Sequence, residues 1–337
     1  MYESSRAPLR LSFAGGGSDV SPYCEERGGI VLNATISKFT WVSIKKIAGD
    51  GVSVYHSDGT FEQYKTLNDF IQKGLSPIKH VCAHFKEHHN LAGGLEIHLR
   101  NDAPGMSGLG GSASFFISAI NSFRLLTLAD INKYDMAELA FSLERQKLGN
   151  IGGRQDQYAA AFGGINFIEF KGNDFVRMNP LAIKQDILLE LEKRLVLVNL
   201  GKRRKSGDII SDQVKRVTDH DAKSLKALDE TKKIAVSMKN TLHKGDLEEF
   251  GNLLGIAWLA KKNFSPLITN SYINGIYDYS LKNGAASGKI TGAGGGGHMM
   301  LLAKPNEEEA LKRALIKKEL YPTPFTFQMH GVESWKG

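Results

Sequence analysis

Apolar and polar positions alternate along the first part of the chain and then give way to helical spacing. Leu9 to Phe13 (LRLSF) alternates and breaks at Gly15-Gly16-Gly17. The β-branched and aromatic runs IVLNATI and TWVSIKKI within 30–47 predict strands, as do 52–56 and LEIHL at 95–99. Residues 68–89 have helical spacing interrupted near Pro77, and further helices are predicted over 112–127 and 133–148. The short run RQDQYAAAF stops at Gly163-Gly164 and leads into a strand at 165–170.

The texture changes near residue 190. LVLVNL at 195–200 reads as a buried strand. Helices are predicted over 206–217, 221–243, 246–262 and 270–283. A strand pair at 289–291 and 299–303 flanks a glycine block, and a charged helix at 305–319 and a strand at 325–330 close the chain. Strands and helices are mixed without a regular βαβ alternation, which predicts an α+β protein. We divide it into two domains, 1–190 and 191–337.

Composition narrows the options. At 337 residues, the chain can bury a full core. The two cysteines, Cys24 and Cys82, lack metal spacing and imply a reducing, cytoplasmic setting without a disulfide framework. The N-terminus has no apolar signal-peptide region, and no apolar run approaches the length of a membrane helix. The net charge of +7 is mostly dispersed. Its one compact cluster, Lys202 to Lys205, has no interleaved aromatics. With no nucleic-acid module motif in the sequence, that cluster reads either as a phosphate-binding patch or as a solvated basic turn.

Three glycine-rich segments carry the candidate chemistry: FAGGGSD (13–19), PGMSGLGGSAS (104–114) and TGAGGGG (291–297). The middle one opens directly into a helix. A helix N-terminus presents unpaired N–H groups and partial positive charge, and glycines let the backbone close on an anion. A Walker A loop is excluded because no Lys-Ser/Thr pair follows the glycines. Gly108 to Ala113 does match G-x-G-x-x-A, but Asn101 to Gly105, including Pro104, separate it from the strand. In a dinucleotide fold that turn follows the strand directly.

These loops in this order resemble the motifs of the GHMP kinases, and the resemblance covers most of the chain. RAPLRLSFAGGGSD (6–19) is similar to the first motif, PGMSGLGGSAS to the phosphate loop and KITGAGGGG (289–297) to the third. LERQKLGNIGGRQDQYAAAFGG (143–164) looks like the catalytic stretch. The AGGGSD form, with RQDQYAAAFGG and Trp258…Lys261-Lys262, resembles the bacterial D-glycero-D-manno-heptose 7-phosphate kinases within the family. The resemblance implies a two-domain fold with an N-terminal ribosomal-S5-like α/β domain and a C-terminal ferredoxin-like α+β domain. It implies ATP- and Mg²⁺-dependent phosphorylation of the anomeric hydroxyl of a sugar phosphate, by a cytoplasmic monomer or homodimer. Another GHMP sugar kinase, of L-fucose or galactokinase type, and a non-catalytic sugar or nucleotide sensor on the same fold are the competing readings.

Roles follow position by position. Asp156 matches the catalytic aspartate and Arg10 the basic residue of the first motif. Pro104, Gly105, Ser107, Gly108, Leu109, Gly110, Gly111, Ser112 and Ala113 match the ATP phosphate loop, and Ser112 with Glu144 the Mg²⁺ contacts. Gly16, Gly17, Ser18 and Asp19 match the sugar loop, with Gly294 and Gly295 expected near the substrate. Arg203, Arg204, Lys261 and Lys262 are candidates for the substrate's own phosphate. The family loop usually reads G-L-G-S-S. Here Gly111 replaces the first serine. That removes a hydrogen bond worth about 1–2 kcal/mol. His80, His84 and His88 fall at i, i+4, i+8 near Cys82. That spacing can bind a metal, but a polar helix face explains it as well.

Overall fold

A computed structural model describes residues 1–149, 151–172, 175–201 and 206–337. Two sheets organise them. The larger uses β1 (Glu3–Ala14), β2 (Gly29–Ile47), β3 (Val52–His56), β4 (Phe61–Tyr64), β5 (Gly94–Asn101), β6 (Ile165–Lys171), β7 (Phe175–Pro180) and the last strand (Glu333–Lys336). Its order is last strand–β1–β2–β5–β3–β4, with β6 also pairing β2 and β7 on β6. The long β2 makes this possible, pairing β5 through residues 40–47 and β6 through 29–34. The pairings are antiparallel except β3 with β5. The smaller sheet has β8 (Leu195–Asn199), β9 (Ala285–Ile290) and β10 (His298–Ala303) in the order β8–β10–β9. The last strand is β11.

The helices are α1 (Tyr23–Arg27), α2 (Leu67–Lys73), α3 (Ile78–His88), α4 (Gly111–Thr127), α5 (Lys133–Ser142), α6 (Gln155–Phe162), α7 (Gln185–Arg194), α8 (Ser206–Thr218), α9 (Ala222–Lys244), α10 (Leu247–Lys261), α11 (Ser271–Lys282) and α12 (Glu308–Ile316). α3, α4, α5 and α6 cover one face of the larger sheet around Phe70, Phe85, Phe116 and Phe123. On β1, side chains alternate between two faces. Leu9, Leu11 and Phe13 join Leu254 and Phe250 of α10 in a second core that connects the two sheets. Arg10 and Ser12 therefore share the opposite face, and this alternation sets up the site. A third core lies around Trp258, Phe264 and Met299.

Three expectations change. Residues 325–330 do not form a strand. They touch β2 at a single bridge, Phe327 with Ile36, and through two backbone–backbone bonds, Ser37 N to Thr326 O (2.8 Å) and Gln328 N to Thr35 O (2.9 Å). The two strands read within 30–47 are one, and the helix read over 133–148 ends at Ser142 and continues as a π-helical turn, Leu143–Lys147. Residue 190 lies inside α7, and β11 returns to pair with β1.

Candidate active site

A cavity of about 920 Å³ lies where the loops before α4 and α6 meet the 292–293 turn. α4 is fixed to the sheet from below. Ser114 Oγ donates to Ala7 O (2.7 Å), and Ser122 Oγ donates to Val42 O (2.9 Å). Gly110 caps this helix in the left-handed region (φ 79°), and no side chain caps it. Its first-turn N–H groups thus face the cavity without an intrahelical acceptor. Gly108 is also left-handed (φ 80°), a conformation that glycine adopts without the Cβ penalty. Ser112, exposed in the first turn, has no hydrogen-bond partner among the described residues.

Beside that helix end, Arg10 and Asp156 form a two-pronged ion pair. Arg10 Nε donates to Asp156 Oδ1 and Nη2 to Oδ2, both at 2.7 Å. The third nitrogen, Nη1, donates to Gly108 O (2.7 Å), and the Arg10 backbone N–H bonds Leu109 O (2.9 Å). One guanidinium thus joins the carboxylate to the glycine loop. Arg10 is 6% exposed and Asp156 21%. The carboxylate keeps lone pairs for a ligand beyond the two that Arg10 occupies.

Asp19 lies deeper. Its Oδ1 accepts from Gly17 N (2.9 Å) and Gln155 Nε2 (3.2 Å), and Oδ2 accepts from Gln155 N (3.1 Å) at the start of α6. Burial raises its carboxyl pKa against those hydrogen bonds, and the charge of Asp156 adds to the rise. Gly153 is required here, because a Cβ would fall 1.9 Å from Asp19 Oδ2. Glu144 stands on the π-helical turn, a bulge that often marks functional sites. It is buried and accepts at Oε2 from Gln157 Nε2 (2.7 Å).

The third glycine block packs against the back of the loop. Thr291 Oγ1 donates to Gly108 O (3.0 Å), and His298 N donates to Ser107 O (3.0 Å). A Cβ on Gly292 would meet Gly108 O at 2.7 Å, and one on Gly297 would meet Ser107 O at 2.7 Å. Lys289, buried at the end of β9, donates to Ser12 O (2.7 Å). Burial, with the charges of Lys261 and Arg10, holds its pKa well below that of an ordinary lysine.

An uncapped helix behind a glycine loop, with a carboxylate gripped by arginine beside it, suits an anionic ligand. Models of the GHMP kinase N-terminal and C-terminal domains match residues 76–164 and 237–321. The D-glycero-alpha-D-manno-heptose 7-phosphate kinase of Campylobacter jejuni is 37% identical over 98% of both chains. The chain belongs to the GHMP kinase family. The crystal structure of a D-glycero-D-manno-heptose 1-phosphate kinase from Bacteroides thetaiotaomicron is 33% identical with TM-score 0.84, over 100% of this chain and 99% of that one. Lactococcus lactis galactokinase complexed with galactose shares the fold at 19% identity, with TM-score 0.76 over 100% of this chain and 95% of that one. The kinase therefore has the two-domain GHMP fold.

The kinase gathers most of the residues expected from its sequence. Pro104, Gly105, Ser107, Gly108, Gly110, Gly111, Ser112 and Ala113 line the cavity with Arg10, Gly16, Gly17, Asp19, Glu144, Asp156 and Lys261. Leu109 does not, because its side chain enters the second core and only its carbonyl serves the site. Ser18 also turns away, its hydroxyl donating to Gly15 O (2.7 Å) and Ile30 O (3.1 Å). Gly294 and Gly295 are corrected too. They pack on Ile268, Gly295 N donating to its carbonyl (2.8 Å), and Gly292 and Ala293 line the cavity instead. Lys261 donates to Gly292 O, whereas Lys262 sits over the Trp258 ring (5.6 Å) away from the cavity. Arg203 and Arg204 lie outside the described residues.

Sequence reasoning missed other parts of the site in the kinase. Ser12, Gln155 and Arg145 line the cavity on the Asp19 side. At its other end stand His56 to Asp58, Ser76, Pro77 and Phe115. Glu62 ties that end together, accepting from His56 Nε2 (2.8 Å), Tyr64 Oη (2.7 Å) and Leu75 N (2.9 Å). Burial works against the charged form of Glu62, but these hydrogen bonds outweigh it and lower its pKa. Cys82 is buried in the first core, and no group of three or more metal-ligating side chains occurs among the described residues. Among them, no helix is long and apolar enough to cross a membrane.

Proposed function

We propose that this kinase transfers the γ-phosphoryl group of ATP to the anomeric hydroxyl of D-glycero-D-manno-heptose 7-phosphate, giving the 1,7-bisphosphate. The observation that carries the reading is the two-pronged Arg10–Asp156 pair, set against the glycine loop and the open end of α4. The relative that is 37% identical over the whole chain supports the substrate.

Phosphoryl transfer depends mostly on positioning and charge stabilisation. The first-turn N–H groups of α4 hold the triphosphate. Asp156 takes the proton of the anomeric hydroxyl as its oxygen bonds the γ-phosphorus. The bond from that phosphorus to the bridging oxygen breaks, and ADP leaves with the electron pair. Arg10 keeps Asp156 ionised and adds positive charge near the transferring group. The His56–Asp58 and Ser76–Pro77 end takes the nucleoside, and the Asp19 side takes the sugar. Ser112 and Glu144 fit Mg²⁺, which favours a few protein oxygens beside phosphates and water. Among the described residues the hydroxyl of Ser112 is unengaged, and Glu144 Oε1, outside the bond to Gln157, lies 3.7 Å from Arg145 Nη1. Bound there, Mg²⁺ would neutralise phosphate charge. Lys261, with Arg203 and Arg204, remains the candidate for the distal phosphate. The reaction fits the cytoplasm, where buried Cys24 and Cys82 remain thiols.

Steady-state kinetics with heptose 7-phosphate, the same heptose without phosphate, L-fucose and galactose test the reading. We expect kcat/KM for the phosphorylated heptose to exceed each neutral sugar by at least about 100-fold, since a charge-assisted phosphate contact is worth about 1.5–3 kcal/mol and more than one is expected. Equal or better use of a neutral sugar would make this a kinase of fucose or galactose type.

A further inference from the structure

Among the described residues, Ser12 Oγ and Gln155 Oε1 on the cavity wall are buried without a hydrogen-bond partner. Their residues are 4% and 8% exposed and line the cavity. Buried polar atoms are normally hydrogen-bonded, so each orphan needs an explanation. The pair stands over Gly16, where a Cβ would fall 2.8 Å from Ser12 Oγ and 2.9 Å from Gln155 Nε2. A side chain at position 16 would press against both residues.

Gln155 is oriented by Asp19. A carboxylate only accepts, so the amide nitrogen of Gln155 must face Asp19 and its Oε1 must face the other way. Asp19 has two of its contacts on Gln155 and one on Gly17. The residue expected to grip sugar hydroxyls is thus engaged with the protein, and it presents another residue's acceptor to the site. The positions then fall into two rungs. Arg10 and Ser12 are i, i+2 on one face of β1, and Gln155 and Asp156 are consecutive on α6. Arg10 faces Asp156 at the reacting hydroxyl, and the Ser12–Gln155 rung lies beside it.

We propose that Ser12 Oγ and Gln155 Oε1 recognise the sugar hydroxyls next to the reacting one, at C2 and C3, and that Asp19 is a positioning residue for Gln155. This rests on the sugar-kinase reading. Lys289 supports the rung by binding the Ser12 carbonyl.

The test combines substrate and protein changes. Wild type, Ser12→Ala, Gln155→Met and Asp19→Asn are assayed with heptose 7-phosphate and its 2-deoxy, 3-deoxy and 4-deoxy forms. Wild type should lose about 10- to 100-fold in kcat/KM on removal of the C2 or C3 hydroxyl, and less at C4. Each variant should lose that discrimination while the KM for ATP changes less than threefold. Ser12→Ala breaks no bond of the free protein through its hydroxyl, so its melting temperature should not fall, which separates a recognition role from a structural one. Discrimination at C2 and C3 that persists unchanged in Ser12→Ala and Gln155→Met overturns the assignment alone. A wild-type chain that phosphorylates none of the sugars overturns the kinase reading and this inference together.

Discussion

Two glycine-rich segments meet at the cavity and do opposite work. In 104–111 the backbone is open to the cavity: a Cβ on Gly105 would meet nothing within 4 Å, and the segment ends at an uncapped helix. In 292–297 the glycines are closed against other backbone, Gly292 on Gly108, Gly294 on Ile268 and Gly297 on Ser107. The first presents N–H groups to the cavity. The second lets β9 and β10 come close enough to hold the first in shape. Glycine content alone does not separate a ligand-binding loop from a packing loop. The element after the glycines does separate them: a helix with its amides unpaired in one case, a buried strand in the other.

The largest effect expected from breaking this arrangement is catalytic. Asp156→Asn removes the proton acceptor while leaving the open loop intact. It should lower kcat by about 10²–10⁴-fold with ATP affinity, measured by calorimetry, within a few-fold of wild type. A parallel loss of ATP affinity would mean that the ion pair holds the loop rather than the reaction.

The next effect contrasts the two loops in stability. Gly297→Ala forces a left-handed residue (φ 76°) and a Cβ into the Ser107 carbonyl. It should cost about 2–4 kcal/mol from the two penalties together. Gly105→Ala should change stability by less than about 1 kcal/mol, and a raised KM for ATP would be its main signature. Denaturant midpoints that fall equally for both would remove the distinction.

A smaller effect sharpens the picture of the open loop. A Cβ on Gly111 would meet Asn101 Nδ2 at 3.4 Å and Leu9 Cδ2 at 4.0 Å, both ordinary contacts. The serine that relatives usually carry therefore fits, and Gly111→Ser should lower the KM for ATP by up to about tenfold, the equivalent of 1–1.5 kcal/mol. An unchanged KM would show that the helix amides already satisfy the phosphate there.

Much of the cavity lining is legible in the sequence, through the order of its motifs and the family they resemble. The alternation over Leu9 to Phe13 pointed to a strand whose polar face carries Arg10, and the loop at 104–114 announced a helix N-terminus. Asp156 lay in a short helix bounded by glycines, as expected. Other parts depended on packing. Gln155 and Ser12 carry no signal in sequence, and only the crossing of β1 with α6 leaves their oxygens without partners. The His56–Asp58 and Ser76–Pro77 end is assembled from separated segments tied by Glu62. The alternating run PFTFQMH lies extended, but it meets β2 where the β1–β2 register shifts, so only one bridge forms. Lys262 reads as a phosphate ligand beside Lys261, but at the C-cap of α10 it lies over the Trp258 ring.

Transfer to an anomeric oxygen at the Arg10–Asp156 pair leaves a signature in phosphorus NMR of the protein with ATP, Mg²⁺ and heptose 7-phosphate. A new anomeric phosphate signal should appear, growing with ADP in equal amounts and absent with Asp156→Asn. ATP consumed to inorganic phosphate alone, or a new phosphate ester at any other carbon, would contradict transfer at this pair.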